Sequence, residues 1–340
     1  MASSKTLKRR TAVHTIYENL DDIKIVFLDA ATLTNGDIDM SRLSELGDLT
    51  IYDRTTEAQL MERCAEAEII ITNKVVLTEE HMAQCEDLGY ICVAATGYNN
   101  IDIAAAKKIG IPVSNVSGYS TTGVVQHTFA LILEALHQIG QYSAEVRAGS
   151  WQSAPDFTYY HHSIGELSGK TMGIFGFGTI GQQVADVAQA FGMEVIATSR
   201  NPERDAKPGV RFVSVEELFA QADVVSLHAP LNDSTKSMVN YDLLSTMKPS
   251  AILVNTARGP LIVEEDLAKA LQEGKLAWAC LDVLSQEPPI ADHPLIGLPN
   301  AIITPHQAWA SKESRQRLLD GIVRNLTSYI YGTVLENRVG

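Results

Sequence analysis

The stretch Gly173–Ala188 reads GIFGFGTIGQQVADVA, and its reading decides the fold. An apolar run ends at Gly176. Gly178 and Gly181 follow at G-x-G-x-x-G spacing, and helical periodicity sets in behind them. Between a strand and a helix each of these glycines has its own reason. The first permits the tight turn, the second lets backbone approach a pyrophosphate, and the third lets helix and strand pack closely. Glycine is common, so the spacing alone carries little weight, and a packing turn without a ligand is the plain alternative. The strand before and the helix after point to a dinucleotide. Gly176, Gly178, Thr179, Ile180 and Gly181 are therefore the expected cofactor turn.

Around that turn the chain alternates strand-like and helix-like segments. After it come MEVIAT, ADVVSLHAP, AILVNTA, LAWACLDV and AIITPH, with helical stretches such as EEDLAKALQEG between them. Before it, from Ile23, come IKIVFLD, LTIYD, EIIITN, YICVAAT and IPVSNV, again separated by helical spacing. This rhythm predicts an α/β protein whose parallel sheets are covered by helices on both faces. Two segments stand apart. TTGVVQHTFALILEALHQIGQYSAEVRAG, from Thr121, reads as one long helix, and SWQSAPDFTYYHHSIGELSGK, from Ser150, reads as an irregular aromatic loop. The C-terminal SKESRQRLLDGIVRNLTSYIYG reads as an amphipathic helix.

With 340 residues the chain is long enough for about two domains. Hydrophobic residues make up 45% and charged residues 20%, an ordinary globular balance. The net charge of -14 argues against a general nucleic-acid or anionic-membrane binder. No apolar run reaches the roughly 18 residues of a membrane span. Cys64, Cys85, Cys92 and Cys280 form no CxxC pair and have no His at zinc spacing, so reduced, buried thiols in the cytoplasm are expected. His161-His162 lacks the partners of a metal site, and neither GxSxG nor a Walker loop occurs, so no metal is expected. The basic start, MASSKTLKRRTAVHTIY, has a faint likeness to a targeting segment and is expected to be a surface leader.

Four polar residues stand at or beyond the carboxyl ends of predicted parallel strands, the edge where open α/β sheets bind ligands. Arg258 follows AILVN, Asp282 and Glu287 follow LAWAC, and His306 follows AIIT, so that an Arg, a Glu and a His could converge beside a nicotinamide. Singly, Arg258 could be a surface ion pair, Glu287 a loop carboxylate and His306 a satisfied histidine. Their shared edge and the glycine turn upstream favour a site.

The pieces ATGYNNIDIAAA, GFGTIG, VSLHAPLNDSTKSMVN, NTARGPLIVEEDLAKAL, LDVLSQEPP and TPHQAWAS occur in this order. With them the chain resembles the D-isomer-specific 2-hydroxyacid dehydrogenase family from about Ile23 to the C-terminus. TNKVV, VVQHTFALILE and TPHQAWASKESRQRL are most like its glycerate dehydrogenase/hydroxypyruvate reductase branch. Gln126, Gln307 and the YYHHS loop depart from that branch, and these departures bear on the substrate more than on the reaction.

The resemblance implies two Rossmann-like domains with parallel sheets. A discontinuous, flavodoxin-like substrate domain (1–119 and 307–340) would receive an inserted dinucleotide-binding domain (120–306), whose 120–168 segment would connect the two and build a homodimer. It implies reduction of a small 2-oxoacid, hydroxypyruvate or glyoxylate above all, to the D-2-hydroxyacid in a cleft that closes. His306 would be the general acid, since an imidazole titrates near neutrality. Glu287 would fix its tautomer, and Arg258 would hold the substrate carboxylate in a planar fork. Asn73, Lys74, Ala95, Thr96 and Gly97 would help bind substrate. Thr96, His228, Ala229, Pro230, Thr256, Ala257, Arg258, Asp282, His306 and Ala308 would join the glycine turn around the cofactor, Asp282 at the nicotinamide carboxamide. Trp151, Phe157, Tyr159 and Tyr160 could lid a partner subunit's pocket or simply pack in an interface. A D-lactate or 3-phosphoglycerate dehydrogenase, or a non-catalytic dinucleotide-sensing corepressor, stays open as an alternative.

MEVIATSRNPER, Met193–Arg204, ends the strand that normally carries an Asp or Glu for the adenosine ribose. Here Ser199 and Arg200 stand at that place, and Glu203 and Asp205 are expected to come too late to replace the acid. A hydroxyl and a guanidinium suit a 2′-phosphate, with Arg204 as a second cation, so NADP(H) is favoured and NAD(H) is also accommodated.

Overall fold

The computed structural model describes residues 20–339; the basic leader lies outside the described residues. The chain separates into two compact units, Met1–Ser120 with Lys312–Gly340, and Thr121–Ser311. The strands, in chain order, are β1 (Lys24–Phe27), β2 (Asp48–Ile51), β3 (Ile69–Thr72), β4 (Tyr90–Val93) and β5 (Val113–Ser114). Next come β6 (Thr171–Phe175), β7 (Glu194–Thr198), β8 (Val210–Phe212), β9 (Val224–Leu227), β10 (Ile252–Asn255), β11 (Trp278–Leu281) and β12 (Ala301–Ile303), with β13 (Arg338–Val339) last.

In the first unit the sheet order is β2-β1-β3-β4-β5-β13, parallel except for the antiparallel β13. The run 2-1-3-4-5 is the flavodoxin-like order, which reverses direction between β1 and β3. The apolar runs IIIT and YICV are buried throughout as β3 and β4, as required of strands covered on both faces. At the sheet edge, β2 keeps an exposed Ile51. Val26, Leu28, Ile70, Ile91 and Val93 form one of its cores.

In the second unit seven parallel strands take the order β12-β11-β10-β9-β6-β7-β8, a 3-2-1-4-5-6 Rossmann sheet with one strand added. Its reversal falls between β6 and β9. One face packs Phe175, Leu218, Phe219, Leu253 and Leu267, and the other packs Phe129, Ile132, Ile174, Val184 and Val254. Each such side chain contributes roughly 1.5–3 kcal/mol on burial. The unit runs to Ser311 because the amides of Gln307 and Ala308 donate to the Asp282 carboxylate, at 2.9 and 2.8 Å.

Two sequence expectations change. The segment from Thr121 is two helices, Thr121–His137 and Ile139–Arg147, because Gln138 takes a left-handed conformation (φ 47°). The Glu134 carboxylate then receives the Gly140 amide at 3.2 Å. The short edge strands β8 and β13 were not legible, since two or three residues show no periodicity. Lys312–Ile330 is one helix, with Leu318, Leu319, Ile322 and Leu326 on its buried side.

Candidate active site

The glycine turn sits at the reversal between β6 and β9. Gly176 has φ +96°, and a Cβ there would stand 2.4 Å from the Ala229 amide nitrogen at the end of β9. A Cβ on Gly181 would stand 2.4 Å from the Gly176 carbonyl oxygen, so helix Thr179–Ala190 could not seat against the turn. At Gly178 a Cβ would meet nothing within 4 Å. The turn thus has open space in front of the first-turn amides of a 12-residue helix, Thr179 and Ile180 among them, and these amides have no intrahelical partner. That is the donor set a pyrophosphate requires, and the residues present fit a dinucleotide.

His228 closes the other side of the reversal, with Ala229 buried and Pro230 exposed after it. Its Nε2 lies 2.8 Å from Ser226 Oγ, and burial pushes its pKa down to about 4. The unfolded chain, near the ordinary 6.5, therefore takes up the proton first. Stability from this group is complete above about pH 6.5 and declines as the pH falls toward 4. We expect the melting temperature to fall less steeply over that window in His228→Gln than in the wild type; parallel pH profiles would exclude this role.

The end of β7 departs from the sequence reading. Asn201 and the four residues after it fold the chain back: the Asp205 amide donates to the Asn201 carbonyl (3.1 Å) and the Arg204 amide to Asn201 Oδ1 (3.1 Å). This brings the Asp205 carboxylate to 2.5 Å from Ser199 Oγ, so Asp205 does not come too late. Arg204 holds the same carboxylate through Nε (2.7 Å) and a terminal nitrogen (3.0 Å). These donors keep the Asp205 pKa below the usual carboxylate range, Arg204 contributing most and Ser199 next. Arg200 is exposed.

Beyond β10, β11 and β12 the three strand-end residues are held by different means. Asn255 staples the first loop, accepting the Ala257 amide (3.0 Å) and donating to the Arg258 carbonyl (2.9 Å). Thr256 is buried, and Arg258 is exposed with one nitrogen on the Ala257 carbonyl at 2.7 Å. The next residue, Gly259, packs so closely on the following loop that a Cβ would lie 2.0 Å from the Leu284 carbonyl carbon. That loop carries Glu287, whose Oε1 accepts the Leu284 amide at 3.0 Å and whose Oε2 lies 2.6 Å from His306 Nδ1. A carboxylate can only accept, so Nδ1 carries the proton and Nε2 is the nitrogen left to face a ligand.

His306 itself has φ +50°. Its amide donates to the Asp282 and Thr304 carbonyls (2.8 and 2.9 Å), and its carbonyl accepts the Trp309 indole N–H (2.8 Å). Under it lies Asp282, 1% exposed, and this carboxylate faces the protein. Its Oδ1 accepts the Thr304 hydroxyl (2.6 Å) and the Gln307 amide (2.9 Å), and its Oδ2 accepts the Ala308 amide. Burial raises its pKa, but hydrogen bonds from His127, Thr304, Ala308 and Gln307 outweigh that and hold it low. Both carboxylate oxygens and the Ala308 amide are thus engaged within the protein, so the expected carboxamide contact is not presented at the surface.

His127 was missed by sequence reasoning. The Thr304 proton goes to Asp282, so Thr304 Oγ1 accepts from His127 Nε2 (3.0 Å), which also lies 3.4 Å from Asp282. A lone His in the apolar run VVQHTFAL was the available signal.

In the first unit, Asp29 follows β1 and takes the amides of Asn73 (2.9 Å), Lys74 (2.6 Å) and Val75 (3.3 Å). Burial raises its pKa and these amides counter the rise. Asn73 and Lys74 thus turn their backbone donors inward, and Asn73 Oδ1 is buried without a partner among the described residues. After β4, Ala95 is buried and Thr96 exposed, with Thr96 Oγ1 donating to the Val116 carbonyl (3.1 Å) and half-buried Gly97 following.

The four cysteines are buried and free. Among the described residues no helix is long and apolar enough to cross a membrane. His161 lies 3.2 Å from Glu145 and stacks on Tyr142.

A Rossmann sheet with a glycine turn at its reversal, and an Arg and a His–Glu pair along the same edge, defines a nicotinamide-dinucleotide oxidoreductase. Residues 129–308 match the model of the D-isomer specific 2-hydroxyacid dehydrogenase NAD binding domain. The chain is 44% identical over 316 residues to a hydroxypyruvate reductase of Blautia hydrogenotrophica, covering 92% of this chain and 98% of that one. It is 39% identical over 312 residues to a glycerate dehydrogenase of Methylorubrum extorquens, covering 91% and 96%. The solved structure of an acyclic imino acid reductase in complex with NADPH and D-Arg superposes with a TM-score of 0.80 at 32% identity, covering 94% of this chain and 100% of that one. The chain belongs to the D-isomer specific 2-hydroxyacid dehydrogenase family, in the branch of hydroxypyruvate reductases and glycerate dehydrogenases.

Proposed function

We propose that this enzyme reduces a small 2-oxoacid, hydroxypyruvate before glyoxylate, to the D-2-hydroxyacid, with His306 as general acid. The observation that carries the reading is the 2.6 Å contact between His306 Nδ1 and Glu287, on a loop that Gly259 ties to Arg258. When bound, the dinucleotide supplies the hydride. His306 gives the proton on Nε2 to the substrate carbonyl oxygen, and Glu287 holds the ring and stabilises the proton-bearing imidazole. Arg258 binds the substrate carboxylate and polarises the carbonyl.

At the strand end Ser199 and Arg200 stand in place of the usual acid, and Arg204 neutralises the Asp205 carboxylate that folds back there, which supports NADP(H) as favoured cofactor and NAD(H) as a second one. Ile139, Trp151, Phe157, Tyr160 and Ile164 are exposed apolar side chains within one segment, which supports a homodimer formed there. Four free buried thiols support the reducing cytoplasm as its compartment.

The test is a panel of glyoxylate, hydroxypyruvate, pyruvate and phenylpyruvate with NADPH and NADH. Hydroxypyruvate should give the highest kcat/KM. No nicotinamide oxidation with any of them would overturn the reading in favour of a non-catalytic sensor. In the same panel Arg258→Lys should lower kcat/KM by on the order of 10²-fold, chiefly through KM, as the bidentate fork is lost. An unchanged substrate dependence would remove Arg258 from carboxylate binding.

A further inference from the structure

We infer that Asp205 selects between the two forms of the cofactor, with Arg204 as its counter-ion. This rests on reading the Gly176–Gly181 edge as the dinucleotide site. The turn after β7 returns a carboxylate to the strand end from which the sequence removes one, and the Asp205 side chain there is 10% exposed. It is built in rather than swept in by chance: Ser199, Asn201, Arg204 and Asp205 form one connected hydrogen-bonded turn. Ser199 has one hydroxyl proton, which goes to Asp205, and its oxygen accepts the Asn201 amide at 2.9 Å. Ser199 is therefore not the phosphate donor its position suggests.

Each partner acts in a definite direction. The Asp205 carboxylate accepts from ribose hydroxyls and repels a 2′-phosphate. The Arg204 side chain is 72% exposed, free to swing from Asp205 to a phosphate. While it stays on Asp205 it cancels the repulsion. Arg200, exposed and with no ion pair among the described residues, supplies the standing positive charge at the rim. The pocket is thus tuned by a masked acid, and it admits both cofactors because the mask can move. A second carboxylate at Ser199 would face the Asp205 carboxylate, which already lies 2.5 Å from Ser199 Oγ, so Asp205 is the informative position.

The experiment measures binding of two fragments, 2′,5′-ADP and 5′-AMP, by calorimetry at fixed salt, on the wild type, Asp205→Asn and Arg204→Gln. Asp205→Asn keeps the shape, removes the charge and releases Arg204. It should raise the preference for 2′,5′-ADP over 5′-AMP by about tenfold, as expected for one close charge pair. Arg204→Gln, at an exposed position that leaves the fold intact, should lower that preference by a similar factor. A ratio unmoved in both variants, or moved the other way, overturns the inference while leaving the dinucleotide site standing. Failure of the wild type to bind either fragment overturns the site and the inference together. Circular dichroism on Asp205→Asn separates unfolding from selectivity, and should the variant unfold, Arg204→Gln alone decides.

Discussion

Replacing His306 by alanine is expected to lower kcat by on the order of 10²–10⁴-fold, the usual contribution of a positioned general acid. Dinucleotide affinity should be unchanged. Glu287 holds the His306 ring through Nδ1 at 2.6 Å, which leaves Nε2 as the ring nitrogen for the proposed proton transfer. The backbone complicates the obvious variant. At φ +50° every residue with a Cβ bears roughly 1–2 kcal/mol, and alanine lacks the polar side chain that makes His306 tolerate it, so part of any loss could come from the loop. Asparagine tolerates that conformation and cannot act as a general acid near neutrality, so His306→Asn should show the same fall with the loop intact. Turnover of either variant near the wild-type value would remove His306 from the proton step. The dinucleotide titration is the control, since the glycine turn at the β6–β9 reversal is untouched.

The second large effect is expected at a residue with no side chain. In Gly259→Ala the new methyl would stand 2.0 Å from the Leu284 carbonyl carbon and 2.3 Å from the Ser285 amide nitrogen, so backbone must move. The loop has little freedom to yield. Asn255 fixes it behind Arg258, and the Glu264 carboxylate holds the facing loop through the Ser285 amide (2.7 Å) and His293 (3.2 Å). Overpacking of this kind costs typically about 1–3 kcal/mol, and a displacement near 1 Å at a catalytic group costs on the order of 10²-fold in rate. Arg258 and the Glu287–His306 pair should be displaced together, so kcat/KM is expected to fall by at least that factor along with a lower melting temperature. A variant with normal kinetics would show that the two loops are not coupled through this contact.

Much of the fold is local information. The βα rhythm, the continuous apolar runs of β3, β4, β9 and β10, and the G-x-G-x-x-G turn were legible because strand burial and turn chemistry act over a few residues. The strand-end positions of Arg258, Glu287 and His306 were legible for the same reason, since each lies in the loop that directly follows its strand. The break at Gln138 was not, because nothing in the apolar pattern of the helix before it marks a left-handed residue.

By itself, then, the sequence determined two Rossmann-like sheets, the position of the glycine turn and the edge on which the Arg, Glu and His would gather. The tertiary structure decided how those groups are held. His127 and Thr304 meet across 177 residues to fill one side of Asp282, and Gly259 meets Leu284 across a gap that admits no methyl. Asp205 lies six residues past Ser199 and still reaches it, because Asn201 turns the chain. Such contacts depend on where distant or folded-back backbone comes to rest. Residue periodicity carries no trace of that, whereas close packing and the pairing of buried polar groups fix it once the sheets have formed.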